Sequence, residues 1–441
     1  MRTVHALPVF LLACAGLPQP VDQLVTVLKS DGALVSPHAL RLHNGDASAL
    51  DERRFAHACL QAGARGPCER FAATLAPERR ERLLALIALQ FSEPAAVEGR
   101  LLATSDGDEA RVILSLELAR YYVRQNDDVA RAKATAALAA VAMLDGAGAY
   151  SNERALIHIA LAIQNDELAS AHKGLKDVLS ASAALDEKNR DELVRLSERL
   201  IAQASDHDKD ATDQARRLFA DMNRLSPDEA VAAAAELADK YPETNALWIA
   251  LGLARLKAGD EPGAVLAFER ARIACPFDPE ADFQLARLHE RRARYARAVY
   301  YLERGIEAAP AWTKGLWLLA DLAMLAREPE RASQALTVLK RLYPGDVTVD
   351  LGRARALLER DDGLRAMAIL KETTRNHPTD LRPALALAKA ALTLHGRAQS
   401  PEGRARMVSE AEAALSLAKN VAKDHNEVLA LQSAVAKLKE P

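Results

Sequence analysis

Pro242, Pro276, Pro310, Pro344 and Pro378 follow one another at a single constant interval. Ala230, Ala264, Ala298, Ala332 and Ala366 keep the same interval, each twelve residues ahead of the proline of its copy. Four residues past each alanine stands Ala234, Phe268, Leu302, Leu336 or Leu370, and a further column of small residues runs Gly252, Ala286, Ala320, Ala354 and Ala388. A period of this length means a stack of like units that bury their apolar faces only against their neighbours. The columns have simple physical readings. Small residues at the Gly252 and Ala264 positions let two antiparallel helices approach closely, and the bulky residue at the Phe268 position fills the gap to the next unit. The proline ends the second helix, because it lacks an amide donor and disfavours helical geometry in the residue before it. Ser226-Pro227-Asp228-Glu229 adds an N-cap, a first-turn proline and a capping-box glutamate.

Composition agrees with helices. Of 441 residues only 4% are aromatic, and the 49% that are hydrophobic are carried mostly by Ala and Leu. With Lys+Arg 58 against Asp+Glu 61, the formal charge of -3 excludes a strongly basic polynucleotide binder and an acidic disordered tail. Gly 20 and Pro 19 exclude collagen-like and low-complexity chains. No apolar run approaches the roughly 18 residues that a membrane-spanning helix requires.

Residues 211–380 resemble tetratricopeptide repeats. The best copy is 245–278, where Trp248, Leu251, Gly252, Gly259, Ala264, Phe268, Ala271 and Pro276 occupy the motif's characteristic positions. Arg255 stands where the family usually has an aromatic, and Leu339 and Thr373 replace the small residue matched by Ala271. The resemblance implies an all-α fold: an α-solenoid of antiparallel helix pairs with a helical N-terminal region and C-terminal capping helices. Upstream, Gln125-Asn126-Asp127-Asp128 recurs as Gln164-Asn165-Asp166-Glu167, a slightly longer step, each copy following a helix-like stretch (109–124 and 152–163). A long amphipathic helix is expected at 186–204. The expected domains are a signal segment at 1–15, a helical region at 16–105, degenerate hairpins at 106–204 and a polar linker at 205–213. The repeat array at 211–380 follows, then a last repeat and cap at 381–441, with an insertion at 395–402 and helices at 405–422 and 424–439.

Residues 1–15, MRTVHALPVFLLACA, place Arg2 before a short apolar stretch and then small residues, the order of a secretory signal peptide. Two processing readings stand. Ala13-Cys14-Ala15 fits a cut after Ala15, and Leu11-Leu12-Ala13-Cys14 resembles a bacterial lipobox in which Cys14 is acylated, although Leu12 departs from the residue common there. A buried first helix of a cytosolic protein competes with both, and Pro8 sits badly in it. Cys59 and Cys68 flank a Gly-containing turn between helix-like segments 52–62 and 67–76, so an oxidising compartment favours a bridge between them, with two buried thiols as the alternative. Cys275, just before a column proline, reads as a packed thiol.

No sequence constellation supports catalysis. There is no P-loop, no G-x-G-x-x-G and no H-E-x-x-H. Ser170-Ala171-His172-Lys173 has the S-x-x-K form without its partner motifs and reads as a solvated helix face. Asp206-His207-Asp208-Lys209-Asp210 lacks the glycine and terminal glutamate of a calcium loop, where Ala211 and Arg217 stand. The histidines show no metal-ligand spacing, and neither metal nor cofactor is expected.

By resemblance to the family, the positions lining a concave face are Lys257, Phe283, Gln284, Arg287, Arg291, Lys314, Trp317, Arg355, Arg382 and Lys389. Glu280, Glu290, Asp321 and Glu359 stand at the same positions, so seven basic residues face four acidic ones. That bias suits an extended or helical peptide carrying carboxylates, with the aromatics as anchors. The competing reading has these charges solvating the helices and Trp317 packed inside. The carboxylate-clamp subclass does not fit, because Ile249, Ala250 and Leu253 occupy its polar positions. Nucleic acid does not fit either, since aromatics do not interleave with a basic stripe. The resemblance therefore implies a non-enzymatic scaffold binding other proteins. It is expected on the periplasmic side of the bacterial envelope, anchored in the outer membrane if Cys14 is acylated. It is similar in this to repeat lipoproteins of outer-membrane protein insertion, secretin or pilus assembly and peptidoglycan enzyme regulation. The alternative is a cytoplasmic regulatory or chaperone-like module.

Overall fold

Each column proline does what its chemistry demands. In the computed structural model, Tyr241, Cys275, Ala309, Tyr343 and His377 each stand one residue past a helix and one before a column proline. Their φ values run from -137 to -127° and their ψ values from 64 to 97°, outside the helical region that a following proline disfavours. The structure describes residue 42, residues 47–102 except 62 and 64, 107–181 except 147, 185–205, and 209–438 except 424. The expected signal segment with Cys14, and residues 206–208 of the expected linker, lie outside the described residues. Among the described residues there are 22 α-helices and no strand, and no helix is long and apolar enough to cross a membrane. They fall into two compact units that divide between Asn165 and Asp166.

The first unit holds α1 (Ala49–Gln61), α2 (Arg65–Ala72), α3 (Pro77–Gln90), α4 (Pro94–Leu102), α5 (Asp108–Gln125), α6 (Asp128–Leu144) and α7 (Ser151–Gln164). Cys59 and Cys68 form a disulfide that closes the α1–α2 hairpin, with the rings of Phe55 and Phe71 5.1 Å apart beside it. Helix α5 is central, burying Val112, Ile113, Leu114 and Leu116, together with Glu117, which is only 3% exposed. Such a charge needs partners. Arg53 of α1 lies 2.7 Å from Glu117, Arg120 lies 2.8 Å and His57 3.0 Å from it. The same two arginines reach Glu153 of α7 at 2.9 and 2.5 Å. Glu52, the neighbour of Arg53, takes Arg82 of α3 at 2.8 Å and Arg79 at 3.3 Å. Buried ion pairs thus fasten α1 to α3, α5 and α7. Burial pushes the Glu117 carboxyl up, but the His57 hydrogen bond and the charges of Arg53 and Arg120 outweigh it and hold it well below the usual carboxylate range. Glu153 is lowered against the same burial by Arg120 and Arg53.

The second unit opens with α8 (Leu168–Ser180) and α9 (Glu187–Ser205). Helix pairs follow: α10 (Lys209–Asp221) with α11 (Pro227–Lys240), α12 (Asn245–Lys257) with α13 (Glu261–Ala274), and α14 (Glu280–Arg291) with α15 (Tyr295–Ala308). Next come α16 (Thr313–Leu325) with α17 (Pro329–Leu342), α18 (Val347–Glu359) with α19 (Gly363–Asn376), α20 (Leu381–Arg397) with α21 (Pro401–Val421), and a closing α22 (Asn426–Lys437). From α14 to α21 each helix packs on the next. The five column alanines on the second helices are fully buried, and Phe268, Leu302, Leu336 and Leu370 are at most 3% exposed. Gly252 shows why that column is small: a Cβ there would lie 2.5 Å from the Phe268 ring. Burying Phe268 contributes about 2–3 kcal/mol.

Arg255, at the usual aromatic position, ties its helix pair by donating from Nη1 to the Gly263 carbonyl at 2.9 Å. The expected capping box at Ser226 and Glu229 is formed. Between first and second helices the chain turns through a left-handed residue, again at the interval of the array: Gly259, Ala293, Arg327 and Asp361, with φ of 83, 51, 60 and 59°. Only the first is a glycine.

Two boundaries differ from the sequence expectation. The compact units do not divide at 205–213: residues 209–213 already belong to α10, and α8 and α9 belong with the array. The reason is a set of polar and ring contacts across the ends of the repeats. His172 Nε2 lies 2.7 Å from the Glu307 carbonyl, and the Leu185 N–H donates to the Arg341 carbonyl at 3.3 Å. Glu307 and Arg341 hold equivalent places in successive repeats, in the last turns of α15 and α17, where helix-end carbonyls lack helical partners. Arg341 Nη1 donates in return to the Leu179 carbonyl, and the Arg190 guanidinium stands 5.2 Å from the centre of the Tyr343 ring. At the far end, the expected insertion at 395–402 shrinks to residues 398–400. Helix α20 runs on to Arg397, and Ser400 caps α21 by accepting from the Gly403 N–H at 3.0 Å.

Two expectations follow. Left-handed geometry costs a non-glycine residue about 1–2 kcal/mol, against roughly 0.5–1 kcal/mol of extra chain entropy for glycine. Ala293→Gly should therefore raise stability by about 0.5 kcal/mol, read by chemical denaturation. Glu117 and Glu153 carry lower pKa values folded than unfolded, so their contribution is complete above the ordinary glutamate value of 4.5 and is lost as pH falls below it. Glu117→Gln, leaving Arg53 and Arg120 buried and underpaired, should cost about 3 kcal/mol. It should also flatten the acid limb of a melting-temperature profile; an unchanged profile would contradict this account.

Candidate functional site

The first helices α12, α14, α16, α18 and α20 each bury one stripe and leave another facing away from the core, which is where the family resemblance puts a binding face. Several of the charged side chains counted at these positions are engaged within the protein. Lys257 donates from Nζ to the carbonyls of Met222 and Leu225, at 3.0 and 3.1 Å. Gln284 is held by Glu280 at 2.6 Å, and Arg287 by Glu290 at 2.5 Å. Arg382 forks onto Asp380 with contacts of 2.6 and 3.0 Å, and Lys389 pairs with Glu427. Arg291 and Arg355 are exposed and have no ion pair among the described residues. Trp317 is half-buried, between the exposed anchor and the packed residue that the sequence left open.

What the fold does bring together is an aromatic and cationic cluster from two successive repeats. The Lys314 ammonium of α16 lies 3.6 Å from the centre of the half-buried Phe283 ring of α14, the arrangement of a cation–aromatic interaction. Phe283 also meets Trp312 edge-on, with ring centres 5.8 Å apart. Trp312 is seated by two glycines: a Cβ at Gly315 would run into its ring, and one at Gly305 would lie 2.8 Å from it. Trp317 follows Lys314 on the same face of α16, one turn on.

Around this cluster α14 opens on acids whose charge is strained. Burial pushes Asp278 and Glu280 above the usual carboxylate range, Lys314 partly offsetting it for Glu280. Asp282 is pushed up to about 6 by burial, although Arg304 of α15 lies 2.6 Å away. Arg304 in turn lies 5.5 and 5.0 Å from the ring centres of Tyr300 and Tyr301.

Sequence reasoning missed Trp312, whose signal was its place between Gly305 and Gly315. It also missed the ionic core of the first unit, which has no sequence period. Ile249 and Ala250, at the clamp positions, are buried in the packing, and Leu253 is half-buried there. Ser170 and Lys173 are exposed on α8. Cys275 is a buried free thiol, 3.4 Å from Ser205 Oγ, and burial pushes its pKa up. No group of three or more metal-ligating side chains comes together among the described residues.

No protein-family profile and no curated protein sequence matches the chain. Among solved structures it is similar to YrrB, described as a TPR protein with an unusual peptide-binding site, at 15% identity over 46% of this chain and 100% of that one, with a TM-score of 0.35. A MamA protein aligns at 17% identity over 42% of this chain and 96% of that one, with a TM-score of 0.32. PilF of Pseudomonas aeruginosa aligns at 13% identity over 51% of this chain and 97% of that one, with a TM-score of 0.32. With its alanine, bulky, small and proline columns recurring in step on consecutive helix pairs, each at the position its packing requires, the chain has the all-α fold of a tetratricopeptide-repeat solenoid.

Proposed function

We propose that this protein is a non-enzymatic scaffold that holds an extended or helical segment of a partner protein against the first-helix face of its array. The observation that supports it most is the Lys314–Phe283 pair with Trp317 beside it. Aromatic and cationic side chains of two successive repeats remain accessible there, the residue types in which binding energy concentrates. Arg291 and Arg355, free of ion pairs among the described residues, extend the positive potential along the same face, so a segment carrying carboxylates is the better match.

The scaffold works, in this reading, on the periplasmic side of the bacterial envelope, tethered to the outer membrane by acyl chains on Cys14. Arg2, the apolar stretch and the lipobox-like run ahead of Cys14 support export. The Cys59–Cys68 bridge supports an oxidising compartment.

Affinity purification from native membranes, with the partner identified, tests the face. Lys314→Glu combined with Trp317→Ala should lower recovery of that partner about tenfold, the loss of roughly 1.4 kcal/mol, while leaving the helical spectrum intact; equal recovery would move the binding surface elsewhere. Labelling with a radioactive fatty acid should mark the wild type and not Cys14→Ala. The bridge gives an independent check: alkylation of the unfolded, unreduced protein should modify Cys275 but reach Cys59 and Cys68 only after reduction. Modification of both without reduction favours the cytoplasmic module instead.

A further inference from the structure

The turn from α14 to α15 differs in charge from every equivalent turn in the array. The other second helices open on Ser226, Asp260, Glu328, Asp362 or Ser400, whereas α15 opens on Arg294, with no side-chain cap and no acid in its first turn. Arg297 adds another cation one turn in. Positive charge at a helix start opposes the helix dipole, so these residues lower the stability of their own repeat, and folding does not account for them.

Nor are the charges neutralised nearby. Arg292 is paired with Glu261 and Arg287 with Glu290. Arg291, Arg294 and Arg297 are exposed and have no ion pair among the described residues. Their field reaches inward. His289, stacked on Tyr301 with ring centres 5.3 Å apart, is held below the ordinary histidine value by burial and then by the charges of Arg297 and Arg294. At the same turn lies an open groove of about 600 Å³ lined by Arg294, Arg297, Tyr295, Ala293, Ala296 and Ala326. Cationic residues and small side chains therefore share one surface with room for a polypeptide backbone.

We infer that this groove docks an acidic peptide segment of a partner protein, its carboxylates meeting Arg294 and Arg297, with Arg291 in the last turn of α14 ahead of it. The inference rests on the peptide-binding reading of the array and adds a contact at the edge of the first-helix face. Charge complementarity selects the occupant. Glu261, Glu290 and Glu328 neutralise the neighbouring Arg292, Arg287 and Arg331, so the cations left without an ion pair around this turn, among the described residues, are few. That suits a few carboxylates on a peptide, not the continuous charge of a bilayer surface or a polynucleotide.

Fluorescence anisotropy with a labelled peptide of alternating glutamate and alanine, spanning several turns' worth of chain, tests the groove on the full-length protein. The wild type should bind it, more weakly as salt is added. Arg294→Asp with Arg297→Glu should lower affinity at least tenfold. Arg294→Asp alone supplies the cap that Asp260 and Asp362 provide elsewhere, so it should weaken binding while raising the melting temperature by about 2–4 °C. That combination separates a lost contact from a damaged fold. The control Arg360→Glu with Arg365→Glu, at an equivalent turn, should stay within about twofold of wild type. Undiminished binding by the Arg294 and Arg297 variants, equal loss in the control, failure of the wild type to bind, or competition from phosphatidylglycerol vesicles would each overturn the inference. Lys314→Glu with Trp317→Ala separates the two readings. If it blocks the native partner while the arginine variants keep the glutamate peptide, the groove fails and the first-helix face stands; the reverse pattern keeps the groove alone.

Discussion

A missing Cβ meeting a large ring is the contact on which this architecture turns. Phe268 fits only because Gly252 faces it, and Trp312 only because Gly305 and Gly315 do. Close-packed interiors tolerate little change of volume, so small and large residues must alternate in step along both helices of a pair. A strict interval in the sequence is the direct result. Every other regularity, from the pre-proline residues to the left-handed turns, inherits that interval.

That is also why the array was legible and other parts were not. Columns such as Ala230 to Ala366 express contacts made by one residue with its nearest neighbours in the chain or the next copy, so they show up as spacing. The ionic core of the first unit joins Arg53, Glu117 and Glu153, which are remote from one another and follow no period. In the sequence they look like ordinary surface charges. The boundary between units was misplaced for a related reason. A polar stretch at 205–213 resembles a linker, yet α8 and α9 are tied to α15 and α17 through main-chain carbonyls, groups that every residue possesses and that no side-chain pattern reveals. The upstream repeat was recognisable but one residue out of register: the left-handed residue that answers to Asn126 is Asp166, where the recurring tetrad aligns Asn165.

The candidate face was half legible. Position within the repeat told which residues lie on the first helices; that Phe283 and Lys314 meet is seen only in the structure. Nor did position tell which charges are already engaged. Arg382 folds back onto Asp380, two residues away, and Lys389 is met by Glu427 of the closing helix. The surface that remains for a partner is narrower than a tally of residue types suggests and centres on the repeats formed by α14 to α17.

The contacts of α8 and α9 with Glu307 and Arg341 bear on mechanics. Stacked helix pairs lengthen and coil by small rotations at each junction, like turns of a spring. Hydrogen bonds from one hairpin to matching carbonyls of two successive repeats lash those turns together, and rotating one past the other would break them. Elastic give is then left to the repeats beyond, from α18 onward, so a pull on the C-terminal end would be taken up there before it disturbed the Phe283 and Lys314 cluster.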